Sequence, residues 1–151
     1  GTKTGAGSIT GVYTVLVEGG DMDEPIADAV RAIADGHIVL SRELASRNQF
    51  PAIDVLASLS RVMSKVASKE HRIVSSHLRD LMAAYKANED LINVGAYARG
   101  SNPKVDKAIL IYDDLMNLLK QTQGMTEFLT IDTLFDRMVE IARKAESINN
   151  K

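Results

Sequence analysis

Arg61 and Phe50 have side chains of types that can contact a phosphate group and a flat ring, respectively. The guanidinium of Arg61 is always charged and presents a rigid fork of N–H donors that matches phosphate oxygens. The flat apolar ring of Phe50 suits stacking on a purine. Each residue also has an ordinary alternative, a surface ion pair for Arg61 and a place in the core for Phe50. Residue type alone leaves both alternatives open.

The loop Gly19–Pro25 carries three carboxylates, at Asp21, Asp23 and Glu24. A cluster of this charge is complementary to a basic partner helix. An acidic turn that only caps the following helix would contain the same residues, because negative charge near a helix N-terminus is stabilising. The loop is therefore a candidate partner-binding surface, with helix capping as its alternative.

No phosphate-binding P-loop occurs in the sequence. That motif is Gly-x-x-x-x-Gly-Lys-Ser/Thr between a strand and a helix, where backbone N–H groups surround the phosphates. The glycine-rich stretch Gly1–Gly7 lacks Gly-Lys-Thr and is predicted to be a flexible loop, and the Walker B aspartate strand is also missing. The histidines His37, His71 and His77 have no His-Glu-x-x-His spacing, so no metal site is predicted.

The composition is typical of a soluble globular chain. It has 151 residues, a formal net charge of −2 with both signs interspersed, and no cysteine. This length supports one domain or two small ones with a real core, and the balanced charge argues against a nucleic-acid surface. The sequence shows no signal-peptide pattern and no apolar run of about 18 residues. A cytoplasmic protein is the default expectation.

The N-terminal part of the chain has the pattern of an α/β segment. Residues 9–18 are β-branched and nearly continuously apolar, which predicts a strand buried on both faces, and residues 37–41 predict a second strand. Between them, Pro25 suits the first position of a helix and Gly36 its end. Strand, helix and strand in this order predict a βαβ unit at the edge of an α/β nucleotide-binding domain.

The rest of the chain is predicted to be all helix. Three stretches repeat apolar residues at helical spacing: 70–93, 103–121 and the stretch that Thr130 begins. Asn102 followed by proline is a helix start signal, and Gly124 is predicted to break the middle helix. The sequence therefore predicts two domains, the end of an α/β domain over 1–64 and a helical bundle over 65–151.

The stretch Pro51-Ala-Ile-Asp-Val-Leu-Ala-Ser-Leu-Ser60, followed at once by Arg61, is the most specific motif of the chain. Proline, small residue, aliphatic residue, Asp and then Ser-x-Ser is the signature of rotary-type ATPases related to the ATP synthase α and β subunits. Four further motifs have the order and spacing of one branch: Gly7-Ser-Ile-Thr10, Asp21-Met-Asp-Glu-Pro25, Asp35-Gly-His-Ile-Val-Leu-Ser-Arg42 and Gly95-Ala-Tyr-Ala-Arg-Gly-Ser-Asn-Pro103. The chain resembles the C-terminal part of a bacterial flagellar or type III secretion export ATPase, strongly over residues 7–109 and weakly beyond.

The resemblance implies a role for several residues. Arg61 would be the arginine finger that reaches across a subunit interface, and such an arginine accelerates phosphoryl transfer by about 10³ to 10⁵. Phe50 matches the aromatic position that packs on adenine, where many relatives have tyrosine, and Tyr97 matches more loosely the region that closes over the adenine. The acidic loop matches the loop that faces a central coiled-coil stalk.

Asp54 recurs in the same signature, and the sequence gives it no pocket. Its carboxylate is predicted to order the local chain through backbone N–H groups, much like a turn residue. Ser58 and Ser60 are predicted to shape the turn that aims Arg61.

The resemblance also implies the larger assembly. It predicts the last part of a RecA-like P-loop domain followed by an all-α C-terminal domain, with ATP and Mg²⁺ bound mainly by residues upstream of this chain. The chain alone is expected to be inactive. The implied partners are identical subunits in a homohexamer, a stator-like regulator, a coiled-coil stalk protein and chaperone–substrate complexes, in the cytoplasm at the inner-membrane export apparatus.

Two alternatives to a fragment of an export ATPase stay open. The helical region could be a docking module for the stalk, chaperones or export substrates, or the chain could be part of a synthase-type rotary ATPase. The motifs around the acidic loop and Tyr97 favour the export branch over the synthase. Flagellar export and virulence secretion are not distinguished by the sequence.

Overall fold

The computed structural model describes residues 5–7, 9–121 and 129–150. The chain divides into two compact units, Gly1–Ala34 and Asp35–Lys151. Among the described residues, no helix combines the length and the apolar character that crossing a membrane requires.

In the first unit, the described residues form a 3-10 turn at Glu18–Gly20 and the helix α1 over Pro25–Ile33. Proline occupies the first turn of α1, as predicted, and the helix ends before Ala34. Its one buried residue is Ala27. The acidic loop that precedes α1 therefore leads directly into the N-terminus of a helix.

The predicted strand over residues 9–18 is wrong. Residues 9–17 have no regular secondary structure, and the side chains of Ile9, Val12 and Leu16 are about nine-tenths exposed. A strand is stable when neighbouring strands satisfy its backbone N–H and C=O groups, and no described strand pairs with this stretch. Apolar composition alone does not supply the neighbouring strand whose hydrogen bonds this stretch would need.

The second unit begins with a two-stranded sheet made of β1 (Gly36–Leu40) and β2 (Ile53–Ser60), with the short helix α2 (Arg42–Ser46) between them. The strands are antiparallel and pair Gly36 with Ser60 and Leu40 with Ile53. The predicted βαβ unit is not formed, because residues 9–18, its predicted first strand, form no strand. Its predicted second strand is present as β1 and pairs with β2, which lies outside the predicted unit.

Beyond the sheet, the described residues form the helices α3 (Met63–Val66), α4 (Lys69–Asn93), α5 (Pro103–Leu119) and α6 (Ile131–Glu146), and a 3-10 turn at Ser147–Asn150. The side chains of Ser68, Asn102 and Thr130 each accept a hydrogen bond from a backbone N–H of the first turn of α4, α5 and α6. The predicted starts at Asn102 and Thr130 are confirmed. The predicted break at Gly124 lies outside the described residues.

The core of the second unit lies between α4, α5 and α6. Seven buried residues form one cluster: Leu78, Leu81, Ala108, Ile111, Leu115, Ile141 and Ala145. Because the three long helices each contribute to it, the predicted helical bundle is present. The sheet residues from Asp35 onward belong to the same compact unit as these helices, and a domain boundary between residues 64 and 65 stays a prediction.

Candidate functional site

Strand β2 carries the signature motif, and Asp54 shapes it. The Oδ1 atom of Asp54 accepts hydrogen bonds from the backbone N–H groups of Leu56 and Ala57, both at 2.9 Å. A carboxylate that holds two successive N–H groups fixes the local backbone as a turn residue does. The predicted structural role of Asp54 is confirmed.

The same part of β2 is irregular. The pairing with β1 shifts between His37 and Val39. The side chain of Ser58 makes two hydrogen bonds at this irregularity. Its hydroxyl donates to the carbonyl oxygen of Asp54 at 2.6 Å and accepts from the N–H of Val39 at 3.0 Å. A bulge of this kind bends a strand and redirects the residues that follow it. Here those residues are Leu59, Ser60 and Arg61.

Arg61 directly follows the last residue of β2. Its backbone N–H donates to the carbonyl oxygen of Asp35 at 2.8 Å, so its main chain is fixed at the start of β1. The residue is exposed. Arg61 therefore lies at the surface, and its backbone is held by a hydrogen bond to the residue that precedes β1.

Phe50 lies before the other end of β2 and is about half exposed, at 52%. Its carbonyl oxygen accepts from the N–H of Gln121, just beyond α5, at 2.7 Å. The ends of β2, Ile53 and Ser60, pair with Leu40 and Gly36 of β1. Since these partners are four positions apart on β1, a rise of about 3.3 Å per residue puts the paired ends of β2 on the order of 13 Å apart. Phe50 precedes one end of β2 and Arg61 follows the other.

Tyr97 lies near the start of α5. Its hydroxyl is within hydrogen-bond distance of the carbonyl oxygen of Asn102, at 3.0 Å, and of Oδ1 of Asp106, at 3.1 Å. Phe50 is held at the other end of this helix, through Gln121. A helix of 17 residues is about 25 Å long, so the structure does not bring Tyr97 and Phe50 together.

The acidic loop belongs to the first unit and is partly ordered by its own groups. Oδ1 of Asp21 accepts from the N–H of Asp23 at 3.0 Å, and Oδ1 of Asp23 lies 4.0 Å from Nη1 of Arg31 on α1. Glu24 is the N-cap residue of α1 but makes no side-chain capping bond. The carboxylates of Asp23 and Glu24 are thus not used as helix caps, which leaves the helix-capping alternative weaker.

Sequence reasoning missed two arginines that fix the site. Arg47, just after α2, binds Glu89 of α4 at 2.7 Å and Glu43 at 2.9 Å, and the hydrogen bond to Glu89 raises the pKa of the guanidinium. Arg79 of α4 donates to carbonyl oxygens of β2. Both contacts join residues far apart in sequence, and no local motif marks them.

A salt bridge also connects α5 with the end of α6. Lys107 of α5 donates to Oε2 of Glu146 at 2.7 Å, and this hydrogen bond lowers the pKa of that carboxyl group. Within the described part of the chain, no three His, Cys, Asp or Glu side chains lie close enough together to hold a metal ion.

Two family models match the chain in succession. The nucleotide-binding domain of the ATP synthase alpha/beta family matches residues 1–60, and the T3SS EscN ATPase C-terminal domain matches residues 67–140. The chain is 55% identical over 122 residues to the flagellum-specific ATP synthase of Bacillus subtilis (strain 168), covering 79% of this chain. This chain belongs to the family of flagellar and type III secretion ATPases.

Solved structures of the family agree with this assignment. The assembled ATPase EscN of the enteropathogenic E. coli type III secretion system superposes on 89% of this chain with a TM-score of 0.83 and 41% identity. EscN in complex with its central stalk EscO covers 78%, with a TM-score of 0.72 and 40% identity. This chain spans 28% of the flagellar relative and 32% and 29% of the two EscN chains.

Proposed function

We propose that this chain is the C-terminal portion of an ATP-hydrolysing motor for flagellar or type III protein export. In this proposal, residues 1–64 are the edge of a RecA-like nucleotide-binding domain, and the rest of that domain holds ATP and Mg²⁺. The motor is a homohexamer with its nucleotides at subunit interfaces. The family match over residues 1–60 and the likeness to an assembled relative support this reading.

The surface position of Arg61 carries the proposal. The residue is exposed, and its main chain is fixed by the hydrogen bond to Asp35, so it lies where a neighbouring subunit can be reached. In a ring of identical subunits, we propose that Phe50 contacts the adenine of its own subunit and Arg61 the phosphates bound by a neighbour. An arginine supplied from a neighbouring subunit stabilises the charge that develops on the transferred phosphoryl group.

The adenine contact is assigned to Phe50. Its half-exposed ring is available for stacking, and Arg47 ties the adjacent segment to α4. A cofactor contact by Tyr97 stays a prediction, and its position at the far end of α5 means that it would act apart from Phe50.

Mixed hexamers test whether Arg61 acts across the interface. Full-length subunits with Arg61→Ala are mixed with subunits in which the P-loop lysine of the nucleotide-binding domain is replaced. Each variant alone is expected to be nearly inactive in ATP hydrolysis. The mixture is expected to regain activity, because some interfaces then combine an intact P-loop with an intact Arg61.

The control is the same mixture prepared under conditions in which subunits do not exchange, which should stay inactive. If Arg61 serves the nucleotide of its own subunit, no mixed interface is intact and exchange restores nothing. That outcome would refute the trans arrangement and the function built on it.

The acidic loop is proposed to face a basic stalk coiled coil. One solved relative is described in complex with its central stalk, and Asp21, Asp23 and Glu24 put three carboxylates on one short loop. Charge complementarity of this kind mainly raises the association rate and is screened by salt.

The Asp21→Asn, Asp23→Asn, Glu24→Gln variant removes the three charges and preserves size and hydrogen-bonding atoms. We expect slower association with the stalk protein of the same export system and a flatter dependence of that rate on salt concentration, measured by surface binding kinetics. Neutralising Asp132 and Asp136 on α6 is the control. An unchanged salt dependence in the loop variant would rule out the loop as the stalk contact.

The remaining partners follow from the family and are part of the proposal. They are a stator-like regulator and chaperone–substrate complexes, with the motor in the cytoplasm at the base of the export apparatus.

A further inference from the structure

Arg79 of α4 binds the strand that leads to Arg61. Its Nη1 atom donates to the carbonyl oxygen of Ser58 at 3.3 Å, and its Nη2 atom donates to the carbonyl oxygens of Leu56 and Ser58, both at 3.3 Å. Both carbonyls belong to the irregular part of β2, between the paired residues Asp54 and Leu59. One guanidinium therefore binds two positions of this irregular segment.

The carbonyls are available because β2 is irregular at this point. In the bulge, side chains replace the bonds of a regular ladder: Asp54 takes the N–H groups of Leu56 and Ala57, and a ring nitrogen of His37 lies 3.2 Å from the carbonyl oxygen of Ala57. Those contacts come from the sheet itself. Arg79 comes from the helical bundle, so its contact couples the two parts.

We propose that Arg79 is a positioning residue for Arg61, which rests on the proposed role of Arg61 as the arginine finger. The fork holds Leu56 and Ser58, and the chain continues through Leu59 and Ser60 to Arg61. At the other side, the N–H of Arg61 is fixed on Asp35. Without the guanidinium of Arg79, the irregular part of β2 loses its hydrogen bonds to α4, and the backbone that carries Arg61 can shift.

An arginine is required for this function by geometry. Its planar fork presents donors at a fixed spacing, whereas a lysine has a single mobile ammonium group. The contact is exposed, and its acceptors are neutral carbonyls. Its effect is therefore expected on the direction of Arg61 more than on the stability of the bundle.

The test compares Arg79→Met with Arg72→Met in the full-length motor. Arg72 is also exposed on α4, so its replacement removes the same charge from the same helix. Since a misplacement of about 1 Å in a catalytic group can cost about 100-fold in rate, we expect Arg79→Met to lower kcat for ATP hydrolysis by at least about 10-fold. KM and the affinity for ATP should stay unchanged, Arg79→Lys should show an intermediate loss, and Arg72→Met should match the wild type.

A double mutant shows whether Arg79 acts through Arg61. If it does, Arg61→Ala combined with Arg79→Met has the same kcat as Arg61→Ala alone, because the finger that Arg79 positions is already absent. If the losses in kcat of the two single mutants multiply in the double mutant, the inference is wrong. It is also wrong if Arg79→Met alone leaves kcat unchanged. Should the Met variant fail to assemble, Arg79→Lys takes its place, and a wild-type kcat there has the same meaning.

The same set separates this inference from the function on which it rests. An Arg61→Ala motor with normal kcat refutes the finger itself. A slow Arg61→Ala motor together with a fully active Arg79→Met motor refutes only the positioning role.

Discussion

Replacing Arg61 with alanine in the full-length motor is expected to lower kcat for ATP hydrolysis by about 10³-fold or more, the scale of arginine-finger losses. The affinity for ATP should stay nearly unchanged. The reason is that the finger contacts charge that develops on the phosphoryl group in transfer, and an interaction made mainly in the transition state contributes little to ground-state binding. Steady-state hydrolysis gives kcat, and equilibrium binding of a fluorescent ATP analogue gives the affinity.

Phe50→Ala is the matched contrast, since it should change the affinity for ATP more than kcat. Loss of the stacking ring weakens nucleotide binding more than it slows the bound complex, because stacking on adenine is the same before and during phosphoryl transfer. Tyr97→Leu, measured alongside, tests whether the second aromatic residue contacts nucleotide at all. An Arg61→Ala motor that loses affinity and kcat in parallel would make Arg61 a binding residue, and unchanged affinity in Phe50→Ala would return Phe50 to a packing role.

The helices could be predicted from the sequence because their signals are local. Asn102 and Thr130 cap the helices that follow them through hydrogen bonds to residues of the same turn. The strands are different, because a strand depends on its partners. Residues 9–17 have strand composition and form none, and β2 was missed although Ile53, Val55, Ala57 and Leu59 alternate with other residues along the motif.

The residues of the candidate site also differ in whether their signal is local or depends on distant contacts. Arg61, Phe50 and Asp54 were found because they stand in one short motif whose meaning does not depend on distant residues. Arg79 and Arg47 were not found, since each contacts a segment more than one element away. A nucleotide contact by Tyr97 rests on a looser match and stays a prediction.

Ile111→Ala is expected to destabilise the protein by about 2–5 kcal/mol, the range for truncating a large aliphatic residue in a core. Ile111 lies on α5 with only 1% of its surface exposed, in the cluster shared by α4, α5 and α6. Truncation removes buried methyl groups and leaves a cavity among three helices. Urea unfolding followed by helical circular dichroism should show a lower midpoint at an unchanged slope.

Leu110→Ala is the control for this prediction. The neighbouring Leu110 is on the same helix but is 38% exposed and lies outside the cluster, so its truncation removes a side chain of equal size at a smaller cost. Helix propensity favours alanine at both positions, and a larger loss of stability at Ile111 than at Leu110 therefore reflects core packing. Equal losses would mean that Ile111 is not the centre of the three-helix core.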